Sequence, residues 1–110
     1  MESKFDFCDF AVTICDIDAN IIYMNKKACK TFEKFGGKSL IGKSLFECHK
    51  QHSIDTIKKM IQNGETNSYT IFKNGEKKLI HQAPWYKDGK IAGLVELSIV
   101  IPENMPHFIR

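Results

Sequence analysis

The side chains of this chain with the most chemistry to offer lie together in Cys48-His49-Lys50-Gln51-His52-Ser53. Imidazole ligates metals and moves protons near neutral pH, and a thiolate is a nucleophile or a soft ligand. Adjacent side chains on a helical turn diverge, so Cys48 next to His49 does not make a nucleophile–base pair by adjacency. His81 would have to join them through folding, which argues against a metal centre. The cysteines at 8, 15, 29 and 48 include no Cys-x-x-Cys pair, so neither a zinc knuckle nor a redox dithiol follows. Buried small hydrophobes are the expected role, with Cys48 kept open because a histidine follows it. No catalytic residue emerges, and the chain reads as a non-enzyme.

Composition narrows the class. With 110 residues the chain is one domain, long enough for a core without staples. No apolar run approaches the roughly 20 residues of a membrane span. The N-terminus carries acids and no following apolar stretch, unlike a secretory signal, so a cytoplasmic protein is expected, with no membrane partner. The net charge of +3 comes from dispersed lysine pairs, 26-27, 58-59 and 77-78, and the chain has a single arginine, at position 110. That pattern is a solvated face, not a nucleic-acid footprint.

The elements that must position the histidines follow from pattern. Asn74-Gly75 and Asp88-Gly89 are strong hairpin turns, because both residues of each tolerate positive φ. Apolar runs flank them and make three consecutive strands between Ser68 and Ile101. Upstream, Ala11–Cys15 and Ile21–Met24 form a hairpin whose left-handed turn residue is expected to be Asn20. Asn25 is a good N-cap for an eleven-residue helix with Ala28, Cys29, Phe32 and Phe35 on one face, stopped at Gly36-Gly37. One or two single-turn helices fill 38–52, and Ser53 caps a second helix with Ile54, Ile57, Met60 and Ile61 inward and Gly64 at its end. In the last strand, Ile91, Gly93, Val95, Leu97, Ile99 and Ile101 share one face, taken as the core side. Ala92, Leu94 and Val100 lie on the other, which therefore needs cover from Phe5, Phe7 and Phe10 or from a second copy. Glu96, beside Leu94 and Ser98, reads as a solvated edge of that surface, or as a lysine's partner if buried. Pro84 favours an edge or a bulge, with Trp85 and Tyr86 as core packing around a hydrogen-bonded indole rather than a partner platform. The tail after Pro102 is expected to dock through Met105, Phe108 and Ile109.

This order of elements, read with Asp16–Asn25, the helix carrying Ala28 and Phe32, Leu40-Ile-Gly-Lys-Ser-Leu45 and Tyr86–Val95, resembles a PAS domain over residues 9–101, with a lead segment 1–8 and a tail 102–110. The resemblance implies an α+β fold, a five-stranded antiparallel sheet with helices packed on one face. It implies a sensory module that binds a small apolar or planar ligand and signals through a dimer or partner surface. The alternative is a ligand-free dimerisation module. Pocket-lining candidates are Phe32, Leu45, Cys48, Ile57, Ile61, Ile71, Val95 and Leu97. PAS domains commonly carry ligand contacts in the segment occupied here by 48–53, so His49, ahead of His52, is the candidate axial ligand should haem bind. A flavin photosensor does not fit, since the position of its reactive cysteine is Leu45 here. Interface candidates for a homodimer are Phe5, Phe7, Phe10, Leu94 and Val100. With no output domain in these residues, a signalling protein would supply one.

Overall fold

Two pairs of left-handed residues set the sheet. The computed structural model describes residues 3–110, and all of their side chains but that of Cys48. Asn74 and Gly75 (φ 53° and 77°) join β3 (Asn67–Lys73) to β4 (Glu76–Lys87), and Asp88 and Gly89 (φ 53° and 78°) join β4 to β5 (Lys90–Ile101). Two successive positive φ values give a turn whose twist matches that of the strands it connects. With β1 (Ala11–Asp16) and β2 (Ile21–Met24) the strands form one antiparallel sheet in the order β2-β1-β5-β4-β3. Pro84 sits in β4 where β3 has already ended, its last partner being the Asn67–Gln82 pair, and a register shift follows between Trp85 and Tyr86. One flank of the strand is open there, so the missing N–H is tolerated without a sheet edge.

In the β1–β2 connection the left-handed residue is Ala19 (φ 63°), not Asn20. Asp16 accounts for this. Its Oδ1 accepts from the backbone N–H groups of Asp18 and Asn20, each at 2.9 Å, and closes the turn around a fully buried Ala19.

The helical cover is made of short pieces. α1 (Lys26–Thr31) is shorter than its eleven-residue pattern predicts: Thr31 and Phe32 are weak helix formers, and the chain tightens into 3-10 turns at Glu33–Phe35 and Gly37–Leu40. Phe35 is left 67% exposed. α2 (Leu45–Cys48) is capped by Ser44, whose hydroxyl accepts from Phe46 N–H at 3.1 Å. α3 (Gln51–Asn63) starts earlier than predicted, with Lys50 at the cap and Ser53 inside the first turn, and ends at left-handed Gly64, whose N–H donates to Met60 O.

Asn25 ties three of these pieces together. Its Oδ1 accepts from Val12 N–H (3.0 Å) on β1 and from Ala28 N–H (2.9 Å) in α1. Its Nδ2 donates to the carbonyls of Phe5 (2.8 Å) and Phe10 (2.9 Å). The N-terminal segment is thereby held against β1 and β2, where the Tyr23 hydroxyl donates to Asp6 and the Phe5 and Phe10 rings meet edge to face.

Directly opposed residues of antiparallel strands share a face. Cys15 with Leu94, Thr13 with Glu96 and Gln82, and Ile80 with Tyr69 therefore face the helices. Ile14, Val95 and Ala83, then Leu97 and His81, then Trp85 and Gly93, face away. This reverses the expected facing of β5. Leu94 is 6% exposed, in a core cluster with Cys15, Ala19, Ile57 and Met60. The more apolar face of β5 is the outer one, because the inner face carries polar groups for a reason given below. At Gly93 a Cβ would lie 1.9 Å from the Cys15 carbonyl oxygen, and the Trp85 indole N–H donates to that same oxygen at 2.9 Å. The C-terminal tail does not dock as expected: Met105, Phe108 and Ile109 are exposed, and Arg110 lies over the Phe108 ring.

Asn25→Ala would remove all four hydrogen bonds and leave buried N–H groups at Val12 and Ala28 without acceptors. The expected cost is about 3–5 kcal/mol, read from urea unfolding. A loss below about 1 kcal/mol would contradict the central role of this residue.

Candidate functional site

Between the helices and the sheet is a cavity of about 610 Å3. Its walls are apolar: Met24, Phe32, Leu45, Ile57, Ile71 and Ile80 all line it. Its floor is not. Thr13 on β1, Glu96 on β5, Gln82 on β4 and Tyr69 on β3 all line it as well.

The floor is wired in one direction. Asn67 Nδ2 donates to Gln82 Oε1 at 3.0 Å, and Gln82 Nε2 donates to Glu96 Oε1 at 2.7 Å. Asn67 thus fixes which end of the Gln82 amide faces Glu96. Burial pushes the Glu96 carboxyl above its usual range; the Gln82 hydrogen bond and the nearby His49 oppose that shift without cancelling it. Burial also raises the Tyr69 hydroxyl, with the Glu96 charge adding to the effect. The Cys15 thiol is raised by burial too, which makes it a packing residue rather than a nucleophile.

Of the pocket residues expected from sequence, Phe32, Leu45, Ile57 and Ile71 line the cavity, and Val95 borders it along β5 with its side chain on the outer face. Ile61 packs against the neighbouring core cluster instead, and Leu97 is on the outer face, paired with Val12 and His81. The side chain of Cys48 lies outside those described. His49 reaches the rim, where its Nδ1 is 2.7 Å from the Leu45 carbonyl. His52 is exposed on α3 and does not line the cavity. His81 is on the far face of the sheet, with Nδ1 2.5 Å from Ser68 Oγ, so the three histidines do not converge. Of the interface candidates, Phe5, Phe7 and Val100 are exposed, Phe10 is half-buried and Leu94 is internal. The residues that sequence reasoning missed are the polar ones. Glu96 is neither on a solvated edge nor paired with a lysine; its partner is Gln82.

Residues 9–95 match a family model described as PAS domain. No curated protein matches the sequence. Among solved structures, the chain is similar to the Vibrio cholerae VqmA dimer, a LuxR-type receptor, at 17% identity and a TM-score of 0.68. That match covers 90% of this chain and 49% of the other, so this chain spans about half the length of that relative. It is also similar to the Vibrio cholerae Aer2 receptor, described as a dual PAS-heme oxygen sensor (17% identity, 84% of this chain and 95% of that one, TM-score 0.63). A third is the PAS domain of the histidine kinase ThkA (20% identity, 82% of this chain and 97% of that one, TM-score 0.66). No helix among the described residues is long and apolar enough to cross a membrane.

The raised Glu96 carboxyl has a measurable consequence. Below its ordinary value of 4.5 it is protonated folded and unfolded alike and does not affect stability. Above that, the unfolded chain releases the proton while the native state holds it, so stability falls with pH until the raised native value is passed. Tyr69, His49 and Gln82 are the groups that face it. Glu96→Gln is therefore expected to gain stability over the wild type between about pH 4 and about pH 8, measured by urea unfolding. An identical difference at both ends would sink the assignment.

Proposed function

Because this chain belongs to the PAS domain family, we propose that it works as a sensory module that holds one small organic molecule between sheet and helices. One observation carries this reading: an apolar cavity of about 610 Å3 with a small, oriented polar floor. Ligand sites in proteins have that composition, mostly apolar walls with a few placed polar groups. The transmission step follows from the cover. α1, α2 and the 3-10 turns are each six residues or fewer, and such pieces shift at low cost while a five-stranded sheet stays put. Occupancy would select among positions of α2 and the start of α3. Support by likeness is limited to fold, though VqmA is also described bound to DPO.

Haem is the more specific variant, and His49 is what favours it. An Nδ1–H donated to the Leu45 carbonyl leaves Nε2 as the free lone pair, the arrangement that suits an axial ligand. The apolar walls would pack the macrocycle, and Lys43 at the rim offers a cation for a carboxylate. Haem would supply gas or redox sensing; the chain would supply one imidazole and an apolar slot.

The second reading is association through the outer sheet face. Leu79, Leu97 and Ile99 lie there together, and Ile99 and Phe72 are exposed large hydrophobes on that side. A second copy is the proposed occupant, and a partner protein would carry the output.

Three measurements test these readings. Protein purified from cells fed haem precursor and denatured for mass spectrometry is expected to release one compound, and Ile57→Trp, which narrows the cavity, is expected to release less of it. A haem-loaded protein would show a Soret band lost in His49→Ala. Sedimentation should give a dimer that Ile99→Glu turns to monomer, and a monomeric wild type would remove the second reading.

A further inference from the structure

The cavity has a chemical polarity that apolar packing alone does not need. Of the charged and titratable groups along its wall, Lys43 and Glu47 on the α2 side and His49 after α2 are exposed at the rim. From β3 the floor receives Tyr69, from β4 the amide of Gln82, and from β1 the hydroxyl of Thr13. Glu96 is the carboxyl that this set surrounds. A carboxylate turned into an apolar space is costly unless it is paired, and the sheet supplies only amide and hydroxyl groups, no cation. The Asn67–Gln82 relay uses one Glu96 oxygen and holds the side chain in place. The other carries no hydrogen bond from Gln82 or Asn67.

Resting on the reading of the cavity as a ligand site, we infer that its ligand is a flat nitrogen heterocycle presenting a ring nitrogen beside an N–H, an amidine-type edge, docked on Glu96. Such an edge matches a carboxyl in either protonation state. A neutral edge accepts the acid's proton at its ring nitrogen and donates its N–H to the other oxygen; a protonated edge donates twice to the carboxylate. The two forms differ only by the position of one proton along a hydrogen bond. The flat body of the heterocycle lies against Ile57, Ile71 and Ile80. Anionic ligands, fatty acids among them, meet Glu96 head-on and are excluded from the floor.

Three probes of similar size separate the outcomes: 2-aminoquinoline, naphthalene and 2-naphthoate, titrated into wild type and Glu96→Gln with binding followed by amide chemical shifts. The expected result is that wild type binds 2-aminoquinoline about 10- to 100-fold tighter than naphthalene and does not bind 2-naphthoate. Glu96→Gln should lose about tenfold or more of that preference while keeping the wild-type amide shifts outside the cavity floor, which shows an intact fold. Equal affinity of wild type for 2-aminoquinoline and naphthalene, or tightest binding of 2-naphthoate, overturns the inference and leaves the ligand-site reading standing. If none of the three binds either protein, both fall.

Discussion

Everything in this molecule is referred to one buried amide. Asn25 ends β2, caps α1, accepts from β1 and clamps the N-terminal segment, so the sheet's edge, its helical cover and its lead segment are set relative to one another by a single side chain. It uses both of its donors and both lone pairs of its oxygen on backbone groups. A helix as short as α1 would not persist alone; here it is held from one end. Because that end is fixed, the space between α1, α3 and the sheet keeps its dimensions without help from a long, continuous helix. The cavity is a product of how the cover is tethered as much as of what lines it.

The floor of that cavity shows a second constraint acting against the first. Core formation favours apolar groups facing the helices, yet β5 turns Glu96 inward and leaves Val95 and Leu97 outside. An isolated carboxyl there would be destabilising. The cross-strand amides reduce that cost by fixing its geometry, and the residual cost is seen in its raised pKa. A protein that keeps such a group inside gives up some stability in exchange for chemical discrimination at that point.

Much of the architecture could be read from short-range chemistry. The two hairpin turns, the cap at Asn25 and the stop at Gly64 are local devices, and each is found where its residue types predict. What was not legible was the facing of β5. Both its faces are apolar, so alternation alone does not choose between them, and choosing the more apolar one as internal was the wrong physical rule for a strand that floors a cavity. The Asn67–Gln82 pairing follows directly from counting outward from the Asn74-Gly75 turn. Counting outward from Asp88-Gly89 misses Gln82–Glu96 by one residue, because the register shift at Trp85/Tyr86 intervenes. An irregularity one residue long thus hid the site. Helix lengths were misjudged for a related reason: periodicity reports which face is apolar, whereas termination of α1 depends on the tertiary path through Gly36 and Gly37.

The seam at Gly93 has a practical corollary. The molecule's sole indole is anchored to β1 across β5, on the side of the sheet remote from the chamber, with its nitrogen hydrogen-bonded. Its emission is thereby an intrinsic gauge of strand integrity at that seam, out of contact with the interior. Quenching by a guest that does not absorb at the indole's emission wavelengths would accordingly signal distortion of the β-layer, not contact with the guest.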